Sequence, residues 1–210
     1  HALPPEALQR FPQQLLVVEH HRLRQLQLHQ PRRHVPPADQ AQIAYWSLAM
    51  TAISAVQSLY SPVVNSLYPH MVANGDFRFA RKIAIIAVPP VLVGTVAFAW
   101  LAAPIMLVLG GREYLAGAWI LSWVSPVLFF SFFAMVFGWP VLGAANRVSE
   151  VTKTTASAAA FSIASLLLIA LFGQATLQSI CLVRCLTEML LCAFRVGYCI
   201  KFGLLSKEGR

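Results

Sequence analysis

Acidic residues are scarce in this chain. Eight Asp and Glu occur in 210 residues, three of them in the first forty, and all charged types together make up 11% of the sequence. Soluble domains carry about a quarter charged residues, so there is too little charge here to cover a water-facing surface. Signatures of chemistry are missing as well. The sequence has no Gly-rich phosphate loop ending in Lys-Ser/Thr, no HExxH and no GxSxG, which leaves no sequence basis for an enzyme, an ATPase or a bound cofactor. Period-two alternation is absent, and that excludes a transmembrane barrel. No positively charged segment leads into a short apolar run, as a cleavable signal peptide would require. The four cysteines, Cys181, Cys185, Cys192 and Cys199, form no CxxC and have no ligand-like histidine near them. Steps of four and seven residues put them on one helical stripe, where small buried packing residues are expected rather than a metal site or a disulfide set.

What is present is apolar: 58% of the residues are hydrophobic and the mean hydropathy is +0.64. Residues 1–40 stand apart, rich in Gln, Pro, Arg and His and holding His1, His20, His21, His29 and His34. Composition changes near Ile43. Five apolar stretches follow, at 43–68, 83–109, 115–142, 155–172 and 179–202, each within reach of the roughly 20 residues that a spanning helix needs. Turn chemistry separates them, at Asn74-Gly75, Gly110-Gly111, Gly143 and Gly173. The expected fold is an all-α, polytopic membrane helix bundle of about five transmembrane helices. Its parts are a polar leader (1–40), the bundle (41–205) and a short tail (206–210).

Net charge is +8, but the basic residues lie in the leader and at the ends of apolar runs. That placement points to membrane lipids as the partner and away from nucleic acid. The breaks alternate in character. Arg78, Arg81 and Lys82 oppose Asp76; Arg112 is balanced by Glu113; Arg147 and Lys153 oppose Glu150; 173–178 carries no charge; the tail holds Lys201, Lys207 and Arg210 against Glu208. By the positive-inside rule, breaks 70–82 and 143–154 and the tail are cytoplasmic, and the first helix runs from outside to inside.

Two polar constellations interrupt the apolar spans. Ser47, Thr51, Ser54, Ser58, Ser61 and Asn65 fall within an arc of about 80° on the first span, with Gln57 beside it. Lipid cannot satisfy such a stripe, so it faces protein or water. It serves either interhelical hydrogen bonding and close packing or the wall of a hydrated cavity. On the last span Arg184, Glu188 and Arg195 share a face within about 40°, and Arg184 and Glu188 are placed to pair as i and i+4. Charge at membrane depth is costly and usually functional. The alternatives are a salt bridge with Arg195 snorkelling to the interface, or a cationic cavity lining for an anionic group such as a lipid-linked phosphate. Pro62, Pro89-Pro90, Pro104, Pro126, Gly138 and Pro140 mark kinks or hinges within the spans. Trp46, Trp100, Trp119, Trp123 and Trp139 lie toward span ends, as interfacial anchors do.

Residues 41–79, AQIAYWSLAMTAISAVQSLYSPVVNSLYPHMVANGDFRF, resemble part of the polysaccharide transporter, or O-antigen flippase, family. Its superfamily also holds the multidrug MATE exporters and the lipid II flippases. The matching features are a tyrosine near the helix start, a Ser/Gln-rich amphipathic helix, the Tyr68-Pro69 exit and the short basic loop with Gly75-Asp76. The chain's end is similar to that family's last helix, with Arg184, Thr187-Glu188, Arg195 and Lys201. The resemblance covers about 41–205 and rests more on hydropathy and spacing than on an invariant signature. It implies the last five of twelve helices in a bacterial inner-membrane protein. It also implies alternating access between two bundles, with a lipid-linked oligosaccharide of the polyprenyl-pyrophosphate type as substrate, and contact with glycan polymerase machinery. As a portion lacking the first bundle, the chain is not expected to transport alone. The rivals are another MATE-type or permease transporter and a non-transporting scaffold or truncated product. A cationic-drug exporter would call for acidic cavity residues, which the arginines oppose.

In that family, residues 1–40 would contain a spanning helix. Their loss of apolar character leads to the expectation that they are out-of-frame or follow a wrongly assigned start, the alternative being a basic disordered arm. Translating the other two frames of the DNA upstream of the Ala41 codon should yield an apolar helix. Finding none in either frame would dismiss the frameshift.

Overall fold

A computed structural model of the chain describes residues 37–74, 77–173 and 176–205. The expectations for residues 1–36, five histidines included, and for 206–210 lie outside the described residues. So do Gly75 and Asp76 of the basic loop. The bundle belongs to the unit Ala41–Arg210.

Every regular element among the described residues is helical. In chain order they are α1 (Pro37–Ser58), α2 (Ser61–Asn74), α3 (Phe77–Trp100), α4 (Ala102–Gly110), a 3₁₀ turn at Arg112–Gly117, α5 (Ala118–Val124), α6 (Pro126–Val136), a π-helical segment at Phe137–Gly143, α7 (Val148–Leu171) and α8 (Leu177–Lys201). Five stretches are long and apolar enough to cross a membrane: Gln40–Ala73, Phe79–Trp100, Pro126–Gly143, Val148–Leu171 and Leu177–Lys201. The chain is therefore an all-helical polypeptide with the composition of a multi-pass membrane protein.

Prolines at 62, 104 and 126 stand where these helices break, whereas Pro69, Pro89 and Pro90 lie inside continuous helices. Pro62 has no N–H to give the Ser58 carbonyl, and the chain tightens there: Leu59 N–H bonds to Val56 at 3.1 Å and Tyr60 N–H to Gln57 at 3.0 Å. The 34-residue first span is thus two helices, α1 and α2. Pro104 acts likewise on the Trp100 carbonyl and separates α3 from α4 at Leu101. The apolar stretch read as 83–109 becomes a span ending at Trp100 plus a nine-residue helix. The stretch read as 115–142 divides as well. Pro126 starts α6 at its first helical position, where a missing N–H is harmless, so the span begins at Pro126 and α5 precedes it as a separate seven-residue piece. Pro140 lies within the π-helical segment, where Gly138 leaves helical geometry with φ −73° and ψ −109°.

The span Pro126–Gly143 is the centre of the bundle. Of its residues 72% are buried, against 11–22% for the other four spans. Elements α3 and α8 pack against α6, and α2, α7 and α8 pack against the π-helical segment. Two apolar clusters result. One gathers Ala49, Ala52 and Ile53 of α1 with Met106, Ile120, Leu121, Val124, Val127, Leu128 and Cys181. The other gathers Leu67 and Met71 of α2 with Ala80, Ala84, Phe132, Phe133, Val136, Val141, Leu142 and Cys199. Cys181 and Cys199 thereby act as small buried packing residues, one in each cluster. Outward faces of α3 and α7 remain apolar, with Ile85, Ile86, Val93, Ile163, Leu167 and Leu171 exposed. Lipid is the solvent that accepts such faces.

The second cluster lies at the basic end. Arg81 donates through Nη1 to the Leu205 carbonyl at 3.1 Å, and the Arg147 guanidinium lies 4.4 Å over the Phe202 ring. Breaks 70–82 and 143–154 and the end of α8 therefore meet at one end of the bundle, as the charge alternation requires. The turn into α7 holds Asn146 at φ +59°, a left-handed conformation that Asn tolerates.

At the other end, Gly117 lets the 3₁₀ turn touch α1. A Cβ there would sit 2.6 Å from Tyr45 Cβ. Gly117→Val should push α1 away from the bundle and cost about 1–3 kcal/mol, the range for overpacking a filled site. Unfolding of the detergent-solubilised chain would register this, and wild-type stability would show that α1 is not held there.

Candidate functional site

Between the two apolar clusters lies an open groove of about 380 Å³, lined by Ser54, Gln57, Ser58, Ser61, Ser131, Ala134, Met135, Arg184, Glu188, Leu191 and Arg195. The polar arc of the first span and the charged face of the last span meet here. Both sets come from helices otherwise apolar enough to cross a membrane. Their union follows from packing: α1 meets α6 in the cluster of Ile53 and Val127, α8 lies against α6, and each turns part of its polar arc to the same groove.

Not every residue of the arc reaches the groove. Ser47 and Thr51 are outside its lining, and Thr51 Oγ1 donates back to the Ser47 carbonyl at 2.9 Å. Such i−4 bonding satisfies a hydroxyl within its own helix. Ser58 Oγ donates three residues back, to the Ala55 carbonyl at 2.6 Å, while its side chain still faces the groove. Asn65, beyond the break at Leu59–Tyr60, lines a neighbouring cavity of about 480 Å³ with Val64, Tyr68, Met135, Trp139 and Pro140. Met135 borders both spaces, so the first span's arc runs past two adjoining openings.

The charged face divides into two unlike arrangements. Arg184 Nη1 pairs with Glu188 Oε1 at 2.7 Å, with the arginine about one-third exposed and the glutamate mostly covered. Arg195 instead turns into the protein. It donates through Nη1 to the Ala134 carbonyl of α6 and through Nη2 to Thr155 Oγ1 of α7 at 3.1 Å. Its side chain is turned inward and does not snorkel along α8. The groove carries two guanidinium groups and one carboxylate, a net of one positive charge at neutral pH, and hydroxyl and amide groups stand opposite. This arrangement can hold an anion by charge and a polyol by hydrogen bonds.

Sequence reasoning did not single out Ser131, Met135, Leu191 or Thr155. Ser131 carried a usable signal, as the one hydroxyl in the Phe-rich stretch 129–133. Met135 and Leu191 carried none, since an apolar side chain beside a groove looks like any other apolar side chain. Among the described residues no group of three or more His, Cys, Asp or Glu is placed to hold a metal ion. No family model, curated protein or solved structure matches this chain.

Removing one member of the ion pair leaves the other charge without its partner in a groove only partly open to water. Glu188→Gln should therefore destabilise the solubilised chain more than the double change Arg184→Gln/Glu188→Gln. With Arg184 partly exposed and screened, the coupling should be about 1 kcal/mol. A double-mutant cycle on unfolding would give this value, and strictly additive effects would mean the pair contributes nothing.

Proposed function

We propose that the chain is the groove-bearing bundle of a bacterial inner-membrane flippase for lipid-linked oligosaccharide, in the service of O-antigen or exopolysaccharide synthesis. One observation carries this reading: a groove among apolar helices that joins a run of hydroxyl and amide groups to a net positive charge. A polyprenyl-pyrophosphate glycan is the molecule with matching parts. Its pyrophosphate suits Arg184, which would exchange the Glu188 carboxylate for a phosphate oxygen. Its sugars suit Ser54, Gln57, Ser58 and Ser61. The apolar tail stays in lipid beside the outward faces of the bundle, so only the headgroup needs a hydrated path.

Translocation by this reading is alternating access, in which the open side of the groove closes against a second helical bundle. Membrane lipids are constant partners, and glycan polymerase machinery would take the delivered substrate. An exporter of cationic compounds is the less favoured reading. The groove's carboxylate, Glu188, is already neutralised by Arg184, which leaves Arg195 as the excess charge.

Binding to the chain in lipid nanodiscs tests the proposal. A polyprenyl-pyrophosphate glycan should bind saturably, and Arg184→Gln should weaken it by about tenfold, the effect of one charge-assisted hydrogen bond. Equal affinity for a neutral polyprenol, or an unaffected Arg184→Gln, would remove the basis for an anionic substrate.

A further inference from the structure

Arg195 belongs to two structures at once. Its side chain forms part of the groove wall, and its guanidinium sits at the bend of the central span. The Ala134 carbonyl it binds lies in the last turn of α6, four residues before Gly138, where the backbone leaves helical geometry. Gly138 makes room for it: a Cβ at that position would stand 2.7 Å from Arg195 Nη1. Thr155 supplies the second anchor from α7. One side chain of α8 thus ties the central span, at its bend, to a neighbouring helix.

The seat is incomplete. Arg195 Nε is buried with no hydrogen-bond partner among the described residues, and a buried donor left unmade is unfavourable. Planar guanidinium presents its donors as a fixed fork matched to phosphate and carboxylate oxygens. A carbonyl and a hydroxyl on two different helices fill that fork only in part. An anion entering the groove offers better acceptors to the same group.

We propose that Arg195 is a latch coupling occupancy of the groove to the bend of the central span. Without an anion, the guanidinium clasps Ala134 and Thr155 and holds the bend at Gly138. With an anion, the guanidinium swings toward the groove, frees the Ala134 carbonyl and lets the Phe137–Gly143 segment rearrange. Linkage makes the effect reciprocal, so a loosened bend also binds the anion more tightly. Both arginines meet the anion in this scheme: Arg184 gives up Glu188 for it, and Arg195 gives up Ala134 and Thr155. The coupling rests on the anion-binding reading of the groove; the clasp itself does not.

Amide hydrogen exchange across residues 131–143 of the whole chain, in nanodiscs of zwitterionic lipid, is the test. Three conditions are compared: no added anion, inorganic pyrophosphate in the water, and a polyprenyl pyrophosphate in the bilayer. In the wild type, a bound anion should raise exchange in this segment by about tenfold. The arm that responds tells whether the pyrophosphate must be lipid-borne. Arg195→Gln should show raised exchange without any anion and little further rise with it. Thr155→Val removes a single acceptor and should show a smaller change of the same kind, which keeps the test open if Arg195→Gln fails to fold. Arg184→Gln should weaken the response to anion. Wild-type exchange in both Thr155→Val and Arg195→Gln would overturn the latch. Anion binding with no change in wild-type exchange would overturn the coupling. If neither anion binds, the coupling falls together with the anionic groove, while the anion-free comparison still decides whether Arg195 holds the bend.

Discussion

A charged side chain within an apolar helix has to be answered by the protein itself, because hydrocarbon offers no hydrogen bonds. In this chain the answers for α8 come from α8 itself, at Glu188, and from α6 and α7, at Ala134 and Thr155. The second set requires α8 to lie against both helices, and those are among its closest neighbours. It also requires a backbone position where a guanidinium can approach the central span, which Gly138 provides. Packing, the bend and the groove are three views of that one demand.

The apolar clusters complement it. They sit on either side of the polar groove, one around Ile53 and Leu121, the other around Met71 and Val141. Neither cluster has to bury a charge. Tyr60, within the break in the first span, reaches the Leu128 carbonyl at 3.3 Å and so pins α2's approach to the central span beside the groove. The break at Pro62 lets the first span follow the bundle past two openings, where a straight helix of its length, about 50 Å at 1.5 Å per residue, would overrun a hydrocarbon core of about 30 Å.

Much of this was legible in the chain. Runs of apolar residues revealed the helices, and prolines at 62, 104, 126 and 140 marked the places where they break or bend. The arcs on the first and last spans were visible because helical geometry alone fixes which residues share a face. The i, i+4 spacing of Arg184 and Glu188 foretold their contact. What could not be read was which span lies at the centre. Hydropathy scores Phe132 and Phe133, both buried, much as it scores Ile85 and Ile86, both exposed, since lipid and protein interior are equally apolar. For the same reason 115–142 read as one long span when only Pro126–Gly143 has that role. The inward turn of Arg195 depends on a carbonyl 61 residues away, and nothing local to α8 encodes it. The transport reading itself comes from resemblance and from the groove's chemistry, not from the fold.

The unequal burial of the spans bears on how such a sequence can vary. A side chain on α3 or α7 that meets only lipid is constrained in hydrophobicity and hardly in shape, so Ile, Leu, Val and Phe are near-equivalent there. Within Pro126–Gly143, where almost three-quarters of the residues are enclosed, each side chain must fit its neighbours, and two adjacent phenylalanines meet edge to face with ring centroids 5.3 Å apart. Drift over generations would therefore erode the outer helices' sequence first while their hydropathy persisted. The central span would become the segment by which distant relatives still recognise one another.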